Sequence, residues 1–111
     1  MGDEFRKPEQ QKREMARLNV DFAGSYKLKG ATDWLQCEII DIGTGGIQLR
    51  GKFSFYEGDV VDSKFFIEDK VILCQIEITN ISGRKAGGKY TAIEEKDLDV
   101  IQNYIHKTIM G

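Results

Sequence analysis

The chain has 111 residues, 41% hydrophobic and 31% charged, with a formal net charge of -2. That length supplies one hydrophobic core and is short for two, and the composition excludes disorder throughout. The acidic balance argues against wrapping extended nucleic acid by bulk charge, and no apolar run is long enough for a membrane span or a secretion signal. Two cysteines and one histidine are too few for a disulfide framework, a structural zinc or a histidine-based triad. No metal is therefore expected, and a reducing cytoplasm is the expected compartment.

Residues 1–18 are polar, with Arg6, Lys7, Lys12, Arg13 and Arg17 set among Asp3, Glu4, Glu9 and Glu14. They read as a mobile N-terminal arm, ordered by something it binds, ahead of a domain over 19–111. From Asn19 to Ile93 the hydrophobic period is near two. Val20, Phe22, Tyr26 and Leu28 mark a first strand, Leu35, Cys37 and Ile39 a second, and Ile47 and Leu49 a third. Val61, Phe65 and Ile67 mark a fourth, Ile72, Cys74, Ile76 and Ile78 a fifth, and Lys89 to Ile93 a sixth. Breaks separate them at Lys29–Asp33, Gly43–Gly46, Gly51–Gly58, Glu68–Lys70 and Ser82–Gly88.

Spacings this tight leave no room for crossover helices, so the strands are expected to be antiparallel. One-sided burial and the cost of open edges favour closure into a six-stranded antiparallel β-barrel. The period then changes: Leu98, Ile101, Tyr104 and Ile105 predict a C-terminal helix over 96–108. Its acidic start and later Lys107 suit the helix dipole. The fold class is mainly β, and Ile39, Ile47, Ile76, Ile78 and Leu98 are expected in the core.

Two short patterns carry chemistry. Arg13 and Arg17 are four residues apart, and a guanidinium fork matches phosphate oxygens or the N7/O6 edge of guanine. A lone arginine pair is otherwise a solvated charged face. Asp41-Ile42-Gly43-Thr44-Gly45-Gly46 follows a strand end, and three glycines in four positions permit close backbone approach to a ligand and an anion-binding nest. The alternative is a plain hairpin turn. Asp41 can accept from turn amides or from a guanine N1–H and N2–H₂.

Taken together, Arg13-Glu14-Met15-Ala16-Arg17 followed by Asp41-Ile42-Gly43-Thr44-Gly45-Gly46 resembles the PilZ domain family, whose two signatures are R-x-x-x-R and [D/N]-x-S-x-x-G. Gly58, the Gly87-to-Tyr90 pattern and an acidic helix ending Asn103-Tyr104-Ile105 extend the resemblance over about Lys12 to Ile105. It implies a six-stranded barrel with a C-terminal helix and a receptor for cyclic di-GMP, the bacterial second messenger. By that resemblance Arg13 and Arg17 clamp phosphates and guanine edges, Lys12 adds a phosphate contact, and Asp41 faces a guanine over a turn containing Thr44 and ending at Gly46. Gly43 departs from the pattern, because the family has serine there. One hydroxyl is missing, worth on the order of 1 kcal/mol. The resemblance also implies a protein effector as downstream partner, needs no cofactor beyond the ligand, and leaves open whether the unit pairs as a homodimer.

The remaining candidates have bland readings. Cys37 and Cys74 share their strands' inward parity and read as small core hydrophobes. Trp34, after a polar turn, either caps the barrel or sits exposed for a partner, and His106 reads as solvated. Phe53, Phe55 and Tyr56 form a long turn tucked against a barrel end, or else a contact patch. Three functions compete: a cyclic di-GMP receptor that signals to a partner through ordering of its arm, a ligand-independent adaptor of the same fold, and a small nucleic-acid-binding barrel. No nucleophile–base pair appears, so the chain is not expected to be an enzyme.

Overall fold

The computed structural model describes residues 16–110. Six strands run β1 (Arg17–Leu28), β2 (Leu35–Gly43), β3 (Gly46–Gly51), β4 (Val60–Ile67), β5 (Lys70–Ser82) and β6 (Lys85–Ile93), followed by helix α1 (Glu95–Met110). The strands close into a barrel in the order β1-β2-β3-β6-β5-β4, every neighbouring pair antiparallel. Closure removes the exposed edges that six strands would otherwise present.

The alternation read from the sequence builds the interior. Ile39, Ile47, Leu49, Val61, Phe65, Ile72, Ile76 and Ile78 are all buried, and each such side chain contributes about 1.5–3 kcal/mol by leaving water. Cys37 and Cys74 are buried free thiols among them. Burial pushes both thiols up to about 12, which keeps them neutral. Phe55 folds back from the β3–β4 loop against Tyr26, ring centroids 5.0 Å apart, while Phe53 and Tyr56 stay exposed.

Four expectations are corrected. The first strand begins at Arg17, so Arg17 and Leu18 belong to the barrel rather than to an arm over 1–18; Leu18 pairs with Ile42 and packs against the core. Leu28, at the other end of β1, is exposed. The sixth strand begins at Lys85, so Gly87 and Gly88 are strand residues and not part of a loop. Finally, Leu98 is half-buried, and the inward stripe of α1 is Asp97, Ile101 and Ile105.

The last correction has a physical cause. Ladder pairing of β5 with β6 runs from Ser82–Lys85 to Cys74–Ile93 and stops there. The next donor on β5, the Leu73 N–H, gives its hydrogen bond to Asp97 Oδ2 at 3.3 Å. The helix start thus continues the sheet's hydrogen bonding, and drawing Asp97 inward rotates Leu98 to the edge of the stripe. Tyr104 meets Phe22 edge-on at 5.8 Å, and α1 packs against β2, β5 and β4 with Ile101 and Ile105 in the core.

Candidate ligand-binding site

The site lies at the turn that joins β2 to β3. Strand β2 alternates inward at Cys37 and Ile39, and continued alternation would point Asp41 into the core. A bulge prevents this: Ile39 pairs with Leu49 but Asp41 pairs with Gln48, so Ile40 is the extra residue. Parity flips, Ile42 becomes fully buried, and Asp41 turns to the outer face.

On that face Asp41 meets Arg17. Arg17 lies across from Gly43 in the β1–β2 ladder, and its side chain runs diagonally to Asp41. Its Nε donates to Asp41 Oδ1 at 2.9 Å, and its Nη2 stands 2.8 Å from the same oxygen. Asp41 is the buried partner, its side chain 13% exposed against 46% for Arg17. Asp41 Oδ2 has no hydrogen-bond partner among the described residues.

Gly43 explains the diagonal path. A Cβ there would stand 3.2 Å from Arg17 Cγ and 3.0 Å from the Ala16 carbonyl oxygen. The residue missing from the family pattern is therefore the lane through which the Arg17 stem reaches Asp41. Its backbone is not left-handed; positive φ among the glycines occurs at Gly30, Gly58 and Gly83. Thr44 donates its N–H to the Ala16 carbonyl, and its hydroxyl is shut away from solvent without a partner among the described residues.

The turn is braced from β6. The Tyr90 hydroxyl donates to the Gly43 carbonyl at 2.8 Å and the Tyr90 N–H to the Gly45 carbonyl at 3.0 Å. Burial pushes the Tyr90 phenol far up, so it stays a donor at any physiological pH. Gly46 has no alternative at its position: a Cβ there would run into the Gly88 carbonyl oxygen. This backbone-to-backbone approach makes the floor of a cleft of about 190 Å³ lined by Arg17, Gly45, Gly46, Gln48, Thr79, Asn80, Gly87, Gly88 and Lys89. Gln48 and Asn80 both pair with Gly87 and wall the floor with carboxamides. Such groups offer a donor and an acceptor each, as a guanine edge requires.

Sequence model and fold agree on what this chain is. The PilZ domain family model matches residues 11–107. The chain belongs to the PilZ domain family. Among solved structures its fold is similar to that of the Bacillus subtilis inhibitor of motility MotI/DgrA, at TM-score 0.76 and 14% identity over 88% of this chain and 51% of that one. The chain spans about half the length of MotI/DgrA. It is also similar to the PilZ domain of CeSA from a cellulose-synthesizing bacterium, at TM-score 0.65 and 7% identity over 84% of this chain and 97% of that one. A third likeness is to a Legionella uncharacterized protein, at TM-score 0.55 and 13% identity over 86% and 99%. No curated protein matches the sequence. At these identities the structures speak for the fold.

Of the residues carried over from the PilZ pattern, Arg17, Asp41, Gly43, Thr44 and Gly46 gather at one end of the β2–β3 hairpin. Lys12 and Arg13 lie outside the described residues. Four cleft residues, Gln48, Thr79, Asn80 and Lys89, carry no motif; only the β3–β6–β5 pairing brings them together. Because Arg17 is a strand residue paired to a buried carboxylate, its removal is expected to cost stability. Among the described residues, no helix is long and apolar enough to cross a membrane.

Proposed function

We propose that this PilZ domain is a cyclic di-GMP receptor of the bacterial cytoplasm that acts by binding, without catalysis, and passes the signal to a protein effector. The observation that carries the reading is the Arg17–Asp41 pair at the mouth of a glycine-floored turn. It sets a guanidinium for phosphate or guanine beside a carboxylate whose second oxygen is unpartnered among the described residues. Gln48, Asn80 and Lys89 beside them supply neutral and cationic donors of the kind a guanine and a phosphate need. Lys12 and Arg13, which precede this site in the chain, extend the proposed clamp. Ordering of the N-terminal arm over the turn is the proposed signal. One neighbour is named an inhibitor of motility and another is part of CeSA, and such unlike outputs support a unit whose effect depends on what it contacts.

Isothermal titration of the full chain with cyclic di-GMP, with GMP and cyclic AMP as controls, tests the reading. Saturable binding of cyclic di-GMP alone is expected. A second reading, a ligand-independent adaptor, is favoured by one feature: Arg17 already occupies Asp41 Oδ1, and Gly43 brings no hydroxyl. Absence of heat well above the micromolar range selects the adaptor.

A further inference from the structure

The opposite end of the β2–β3 hairpin has a different chemistry. From Gly43 to Leu35 the strand runs about 26 Å, at the usual rise per residue. There a groove of about 620 Å³ opens, its cations Arg50, Lys52 and Arg84 set against the single carboxylate of Glu38. In a chain of net charge -2 this is a local reversal of sign. Lys52 and Arg84 have no carboxylate partner among the described residues. On the same groove Trp34, Leu35 and Phe53 are 38%, 39% and 59% exposed.

We propose that this groove docks a protein segment in which carboxylates alternate with aromatic or aliphatic side chains. Charge complementarity selects the carboxylates, and the groove already shows how it holds one. Arg50 grips the Glu38 carboxylate through Nε at 2.9 Å and Nη2 at 2.6 Å. The apolar anchors are held ready. Lys64 and Lys27 stand over the Trp34 ring, 4.6 and 5.1 Å from its centroid, which limits its motion before any partner arrives. Tryptophan and arginine at the centre of one patch, with few acids, is the composition that dominates binding energy between proteins. A phosphate ligand fits less well: the glycine of this groove, Gly51, already donates its N–H to the Arg84 carbonyl, so no backbone nest is offered. The inference stands independently of cyclic di-GMP, since it uses none of the turn residues.

The probe is a short synthetic peptide alternating glutamate and phenylalanine, with a glutamine-for-glutamate twin. Trp34 is the chain's one tryptophan, so its fluorescence reports on the groove directly. The glutamate peptide is expected to give a saturable change that weakens with salt, with amide shifts at 34–38, 50–53 and 84 and none at 41–46. The double variant Lys52→Glu with Arg84→Glu should weaken binding at least about tenfold, the size of one charge-assisted contact. Phe53→Ser should weaken it too, while Arg17→Ala binds as the parent does. The Lys52, Arg84 and Phe53 variants alter exposed groove positions, and an unchanged far-ultraviolet spectrum certifies the fold of every variant. The proposal is overturned if the twin binds equally well, if charge reversal has no effect, if the shifts centre elsewhere, or if GMP moves the Trp34 signal and the peptide does not.

Discussion

Two arginine–carboxylate pairs brace the two ends of the β2–β3 hairpin with nearly the same geometry. Arg17 approaches Asp41 Oδ1 through Nε and Nη2 at 2.9 and 2.8 Å, and Arg50 approaches Glu38 Oε1 through the same atoms at 2.9 and 2.6 Å. Their surroundings differ. Asp41 is 13% exposed and sits over packed glycine backbone, whereas Glu38 is 51% exposed beside open aromatic rings. Geometry alone therefore does not rank them. Removing the cation from a half-solvated carboxylate costs little, because water replaces it; removing it from a mostly buried one leaves a charge without compensation.

The largest effect expected at the turn end comes from its glycine floor. Gly46→Ala must push β3 away from the Gly88 carbonyl, and we expect a loss of more than about 3 kcal/mol in urea unfolding, or no folded protein. Folding at near-parent stability would show that the turn is looser than its close backbone approach implies.

A loss of comparable size, at alkaline pH, is shared by β2 and β5, the strands that carry the two thiols. The thiols of Cys37 and Cys74 ionise from an ordinary 9.0 when unfolded but only at about 12 when folded, through burial. Below pH 9 both states keep the proton and the term is constant. Between pH 9 and about pH 12 the unfolded chain releases protons that the folded one retains, so stability falls as pH rises, on the order of 1 kcal/mol per unit for each thiol. Denaturant midpoints measured across that range should show the slope, and Cys74→Ala should reduce it.

Arg17→Ala separates the two ends. It is expected to weaken cyclic di-GMP binding by roughly 1.5–3 kcal/mol, about ten- to 150-fold. The ligand-free protein should also lose about 1 kcal/mol, because among the described residues no other cation forms an ion pair with Asp41. Titration calorimetry and thermal unfolding read the two effects separately. A variant that loses neither would remove the turn end from the site. The smallest effect belongs to the open end: Glu38→Gln should change stability by less than about 0.5 kcal/mol. A larger loss in thermal unfolding would mean that the Arg50 pair is structural after all.

Much of the fold was legible in the residues. Alternation at Leu35-Cys37-Ile39 and Ile72-Cys74-Ile76-Ile78 is a period-two signal that no helix satisfies, and short breaks between such runs admit only antiparallel neighbours. Where the reading missed, a tertiary contact had overridden a local signal. Gly87 and Gly88 look like a loop because glycine usually marks one, yet both are paired strand residues of β6, where the Asn80 side chain and the Glu77 carbonyl stand too close for a Cβ. Leu98 looks like core by its spacing, yet Asp97 is drawn inward to meet a donor on β5 that β6 leaves unpaired.

By itself the sequence determined the strand count, the antiparallel barrel, the helix after it and the family, because each rests on the order of residues along one strand or turn. It also marked Arg17, Asp41 and Gly46 as one candidate site through the order of two motifs. Only the tertiary structure decided that a bulge at Ile40 turns Asp41 outward, that the Arg17 stem passes over Gly43 to reach it, and that Gln48, Asn80 and Lys89 line the same cleft. The same holds for the far end, where Trp34, Arg50, Phe53 and Arg84 come from separate loops and strands to form one groove. The physical reason is that a side chain's direction depends on ladder register and its neighbours on strand order, and both are settled only when the barrel closes.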